Sequence, residues 1–183
     1  MIKHLSTAEI EAGMDWVRLS PKDTGTLELI IRRPDIGERE ILSSGQLDLN
    51  LGLLGDNWST RGSSSTPDGQ AHPEMQLNLM NARMIQLIAG SKDRWPLAGD
   101  QLYVDLDLSE KNVPPGTQLE IGEALIEVTT VPHLGCKKFV ERFGLDAMRF
   151  VNSQLGKALH LRGINAKVIR AGKIETGEKI RKI

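Results

Sequence analysis

Residues 114–132 read PPGTQLEIGEALIEVTTVP, two short runs about Ile121-Gly122-Glu123 with prolines at both ends. That is the pattern of a hairpin or tight strand pair. Working outward, TLELIIRRP at 26–34 alternates Leu27, Leu29 and Ile31 on one side, the period of a half-buried strand, and Pro34 ends it. LHLRGINAKVIRAGKI at 159–174 alternates again, with Gly163 and Gly172 placed where a barrel strand could bend or bulge. The chain therefore reads as mainly β with a few helices.

The helical stretches are short. From Lys137 to Gly144 the apolar residues Phe139, Val140 and Phe143 fall three and four apart, and Asp146 to Leu155 repeats the pattern with Met148, Val151 and Leu155. Cys136 then stands at a helix N-terminus. A further helix is expected over Thr7 to Val17, with Ser6 or Thr7 as its cap. GDNWSTRGSSSTPDGQAHPE at 55–74 has no regular apolar spacing and is expected to be a mobile loop within one domain spanning residues 1–183. Trp16 and Trp95 are expected in the core, and Trp58 at a lid or partner contact.

With 183 residues and 39% apolar content, the chain can bury one sizeable core. Its single cysteine excludes an intramolecular disulfide, and no stretch resembles a secretory signal, so a reducing cytoplasm is the expected location. No apolar run approaches the roughly 20 residues that cross a bilayer, so no membrane role is expected. Net charge is −1, which suggests no nucleic-acid partner. That total hides an asymmetry: residues 136–183 carry 12 Lys/Arg against 4 Asp/Glu, and the preceding residues 11 against 20. Such a division can mark an anion site, or acidic and basic strands that neutralise one another.

Cys136 has two readings. A thiolate is the nucleophile and the metal ligand, and a helix start with Lys137, Lys138 and Arg142 nearby favours that form. Alternatively it is a buried, inert residue at a β-to-α junction. His133, three residues earlier, could act as a base or second ligand. Arg162 and Arg170, eight apart and on one face if the strand is regular, could hold a phosphate with Lys157, or form surface ion pairs. His4 and His160 have no ligand-like spacing.

GCKKFVERFG at 135–144, with the GxxLxIGEALIEV pair at 116–128 before it and VIRAGKI at 168–174 after it, resembles the MOSC domain, the module named for the C-terminal part of molybdenum cofactor sulfurases. SPKDTGTLELIIRRP and LGLLGDNW look like the opening half of small standalone bacterial members, and Asp68 and His72 resemble a DxQxH element of the family. Where many relatives have Pro before the cysteine this chain has Gly135, a change that loosens the turn. The His-Gly-Gly that many carry after the QxH segment is replaced by His72-Pro73-Glu74.

The resemblance implies a MOSC-type β-barrel that binds the molybdenum cofactor, molybdopterin. Cys136 would be the metal ligand, with Arg142, Arg162, Arg170, Lys157, His72 and Asp68 around the cofactor. Some relatives reduce N-hydroxylated compounds, an oxidoreductase activity on small-molecule substrates served by a redox partner protein. The alternatives are a sulfur carrier, with a persulfide on Cys136 received from a desulfurase partner that holds pyridoxal phosphate, and a noncatalytic binding domain.

Overall fold

The computed structural model describes residues 3–183. Helix α1 (Thr7–Arg18) starts at Ser6, whose hydroxyl accepts from the Glu9 N–H while the Glu9 carboxylate accepts from the Ser6 N–H, a reciprocal cap that satisfies two otherwise open donors. Strands β1 (Thr24–Arg32), β2 (Glu40–Leu42), β3 (Ser44–Asp48) and β4 (Gly52–Leu53) follow, then one helical turn, α2 (Trp58–Arg61). Next come β5 (Leu77–Asn81), α3 (Ala82–Ala89), a 3-10 helix at Lys92–Ala98 and β6 (Leu102–Asp105). The hairpin of β7 (Gln118–Ile121) and β8 (Ala124–Val128) leads to α4 (Lys137–Phe143), α5 (Leu145–Asn152) and α6 (Gln154–Ala158). Strands β9 (Ile164–Arg170), β10 (Gly172–Glu175) and β11 (Lys179–Lys182) complete the chain.

Seven strands close a mixed barrel in the order β1-β11-β7-β8-β9-β5-β6 and back to β1, while β2 extends from β1 and β10-β3-β4 form a small separate sheet. Closure leaves no open edge within the barrel. The one parallel barrel pair, β5 with β6, is joined through α3 and the 3-10 helix, the kind of crossover that parallel strands require. Leu27, Ile30, Leu79, Val104, Ile126 and Ile180 fill the interior. A second apolar layer packs Leu29, Ile31, Met80 and Tyr103 against Ile10 and Met14 of α1, Ile85 of α3, and Phe139 and Phe143 of α4. No helix among the described residues is long and apolar enough to cross a membrane.

Three expectations from the sequence change here. Leu27 and Ile31 do not share a face, because the β1–β6 register shifts between Leu27 and Leu29 and sends Leu27 inward but Leu29 and Ile31 outward. Trp16 is exposed, with Arg83 5.7 Å from its ring centroid, whereas Trp58 is buried and anchors the 55–74 segment. Arg162 precedes β9 rather than lying on it, so it shares no strand face with Arg170. Between them Gly163 takes φ 116°, and a Cβ there would stand 2.1 Å from the Leu79 carbonyl oxygen, so the chain can turn into β9 this close to β5 only as glycine.

Candidate functional site

A cleft of about 370 Å³ forms where β1 ends, at a meeting of Arg33, Asn57 and Arg61, the Ala98-Gly99 turn, Arg162, and the 133–142 segment that carries Cys136. Its floor is built from two buried ion pairs. Arg33 forks onto Asp56 (Nε to Oδ2 2.8 Å, Nη2 to Oδ1 2.7 Å), and its Nη1 donates to Asn78 Oδ1 and to the Gly99 carbonyl. Every guanidinium nitrogen of Arg33 is therefore satisfied, which makes it a support rather than a free ligand group.

The second pair is Arg162 with Asp100, whose carboxylate is fully buried and accepts Nη1 of Arg162 at 2.8 Å and 2.9 Å and Nε2 of His133 at 2.7 Å. Burial pushes the Asp100 carboxyl up, but Arg162 and His133 more than offset it and hold it at about 2. His133 is pushed down, first by burial and then by Arg162, which keeps its ring neutral. Because Asp100 accepts only, the His133 proton sits on Nε2 and leaves Nδ1 as an acceptor. Arg162 also donates to the Ala98 carbonyl and lies 5.0 Å from the Phe139 ring centroid. Its Nε is buried without a partner, as is Oδ1 of Asn57.

With the two pairs neutralised, Arg39, Arg61, Lys138 and Arg142 remain, and none of them forms an ion pair among the described residues. Asp35 is the one carboxylate in the lining. Burial lowers Arg39, and so do Arg142 and Arg33 beside it; Arg61 is lowered by burial and by Arg33. These guanidinium groups repel one another, and an anion in the cleft would relieve that repulsion.

Cys136 is exposed at the cleft and is the N-cap residue of α4. The alternative of a buried cysteine does not hold. It is Phe139 and Phe143, in contact at a centroid distance of 4.9 Å, that anchor the helix in the apolar layer and so fix where the thiol stands. Gly135 is also held: its N–H donates to Asn152 Oδ1 at 2.8 Å, and its carbonyl accepts from Asn152 Nδ2 at 2.9 Å. The turn before the cysteine is thus clamped from α5, where the sequence alone suggested a looser one. A proline at 135 would lack the N–H that this clamp uses.

Arg142 and Arg162 line the same cleft as Cys136. The other candidates lie elsewhere. Arg170 pairs with Glu120 at 3.0 Å on the surface. Lys157 lines a different cavity, His72 accepts from the Glu74 N–H through Nδ1, and Asp68 caps its own turn by accepting from the Gln70 N–H. Sequence reasoning missed Arg33, Arg39, Arg61, Asp56 and Asp100. An Arg-Arg-Pro at a strand end, with the acidic-tryptophan turn at 56–58, was the one local signal available for any of them.

The family model described as MOSC domain matches residues 71–181. Among solved structures, the YuaD protein from Bacillus subtilis is 17% identical and superposes with a TM-score of 0.59, covering 86% of this chain and 94% of that one. YiiM from Escherichia coli is 21% identical at a TM-score of 0.55, covering 86% and 69%, and YiiM from Geobacillus stearothermophilus is 14% identical at 0.52, covering 90% and 74%. At these identities the likeness is one of fold. No curated protein matches the chain.

Proposed function

The chain belongs to the MOSC domain family, which is associated with molybdenum-cofactor binding and sulfurase-related function, and on that premise we propose that the Cys136 cleft binds the molybdenum cofactor. The observation that carries this reading is an exposed thiol beside four cations that lack carboxylate partners. The residues suit the group on three counts. Arg39, Arg61, Lys138 and Arg142 supply charge for its phosphate. The unpartnered Arg162 Nε and Asn57 Oδ1 offer one donor and one acceptor to a polar heterocycle. No cluster of three His, Cys, Asp or Glu residues able to hold a bare ion occurs among the described residues, so a metal here would arrive with its own organic ligand.

In this reading Cys136 is the protein's soft ligand to the metal, which α4 and the Asn152 clamp hold in place. When bound, the metal–pterin group supplies two-electron redox chemistry, and reduction of a small N-hydroxylated compound is the activity we assign to it. Asp100 and Arg162 position His133, whose neutral ring orders the wall beside the thiol. A second reading is favoured by the exposure of the thiol: Cys136 carries a persulfide delivered by a desulfurase partner that itself holds pyridoxal phosphate.

The experiment is molybdenum and pterin analysis of the full chain purified from a host that makes the cofactor, alongside Cys136→Ser. Equimolar metal and pterin are expected in the parent and loss of both in the variant, with circular dichroism unchanged because serine is nearly isosteric at an exposed position. A variant that folds and retains the cofactor as well as the parent would remove Cys136 from the role. A cofactor-free parent that takes up persulfide sulfur from a desulfurase supports the second reading.

A further inference from the structure

A second cavity, of about 570 Å³, lies on the other side of His133 from the cysteine cleft, between the β8–α4 connection and the end of α6. Its chemistry is the opposite of the cleft's. The acidic and basic residues in its lining are Glu110 and Lys157, both exposed and opposite in sign, and its walls include Val128, Val131, Leu134 and Ile164.

Apart from Thr130, Gln154 and Lys157, which are exposed, the polar side chains of the lining present acceptors or are spent within the fold. Nδ1 of His160 lies 2.7 Å from the Leu108 carbonyl, an acceptor-only partner that fixes the proton on Nδ1 and leaves Nε2 as an acceptor. His133 gives its Nε2 proton to Asp100 and keeps Nδ1 as an acceptor. The Thr129 hydroxyl spends its proton on the Glu74 carbonyl at 2.7 Å, and only its lone pairs remain. Asn165 is consumed within the fold, its Oδ1 by Asn78 and its Nδ2 by the Val131 carbonyl. His160 is moreover the one described non-glycine residue with positive φ, at 47°, a conformation that holds its ring at this wall.

We propose that this cavity is a binding site for a small neutral organic molecule with an apolar body and N–H or O–H donors, received by His160 Nε2, His133 Nδ1 and the Thr129 hydroxyl. Away from the exposed Gln154 and Lys157, an anion would meet lone pairs rather than donors. A cation would find no carboxylate in the lining other than the exposed Glu110. The cavity shares only His133 with the neighbouring cleft, and the proposal does not require a cofactor there.

The test uses the cofactor-free full chain, isotope-labelled at histidine, titrated with benzimidazolone, a neutral planar ring with two N–H donors. Its N,N′-dimethyl analogue, which has none, is the control. Benzimidazolone should shift the ring nitrogens of His160 and His133, and the dimethyl analogue should bind about tenfold more weakly, since it leaves more than one acceptor unmet. His160→Asn, which tolerates positive φ and can still donate to the Leu108 carbonyl, should weaken benzimidazolone about fivefold by removing the Nε2 acceptor. His160→Gln, which returns an acceptor near the Nε2 position, should recover part of that loss. Equal binding of the two compounds, no histidine shift with benzimidazolone, or an unweakened His160→Asn would each overturn the proposal.

Discussion

Asp100→Asn is the perturbation that reads the buried electrostatics of the site most directly. The side chain keeps its size and shape, but Arg162, whose side chain is 7% exposed, loses its counter-charge, and an amide replaces an acceptor-only group that receives both Arg162 and His133. Removing one partner of a buried ion pair costs about 3–5 kcal/mol. The Ala98 carbonyl and the Phe139 ring still hold the guanidinium, which places the expected loss near the lower end, about 3 kcal/mol. That is a large part of the roughly 5–15 kcal/mol that stabilises a domain.

A pH series checks the cause. Asp100 titrates at about 2 in the fold against an ordinary value of 3.8, so the unfolded chain binds its proton first as pH falls. The contribution is fully present above about pH 4 and is lost on the way down to 2, and it amounts to roughly 2 kcal/mol. His133 is also lowered from its ordinary value of 6.5, so its contribution declines in the same direction but begins below that pH. Urea unfolding followed by tryptophan fluorescence, on parent and variant from pH 7 to pH 2, gives both quantities. The reasoning fails if the variant loses less than about 1 kcal/mol at pH 7, or if it keeps the parent's acid step below pH 4.

The clamp before the cysteine and the anchor of the 55–74 segment give two further expectations. Gly135→Pro removes the N–H bonded to Asn152 Oδ1 and sets a Cβ 3.2 Å from Met148 Cγ and Val151 Cγ2, so a loss of about 1–3 kcal/mol is expected by urea unfolding; an unchanged midpoint would mean that the clamp carries no energy. Trp58→Ala should cost about 3 kcal/mol and open the largely exposed stretch 63–70 to limited proteolysis, whereas a variant as protease-resistant as the parent would show that Trp58 does not hold the segment.

Elements whose signal is local could be read along the chain. The β7–β8 hairpin was legible from its turn and flanking prolines, α1 from its Ser6 cap, and α4 from the spacing of Phe139 and Phe143. Cys136 at a helix start and Arg142 beside it followed from the same short-range pattern. Tertiary structure decided the rest of the site. Arg33 and Asp56 are 23 positions apart, and Arg162 and Asp100 are 62 apart. A buried, paired charge has no sequence signature that separates it from a solvated one, because its burial depends on which strands the barrel sets side by side. The bulge in β1 is equally invisible to periodicity, since one displaced residue moves Leu29 and Ile31 to the outer face without changing the alternation itself. Asn152 clamps Gly135 only because α5 folds back along the turn before the cysteine, so the device that fixes the thiol arises from packing between elements and not from the residues next to it in the chain.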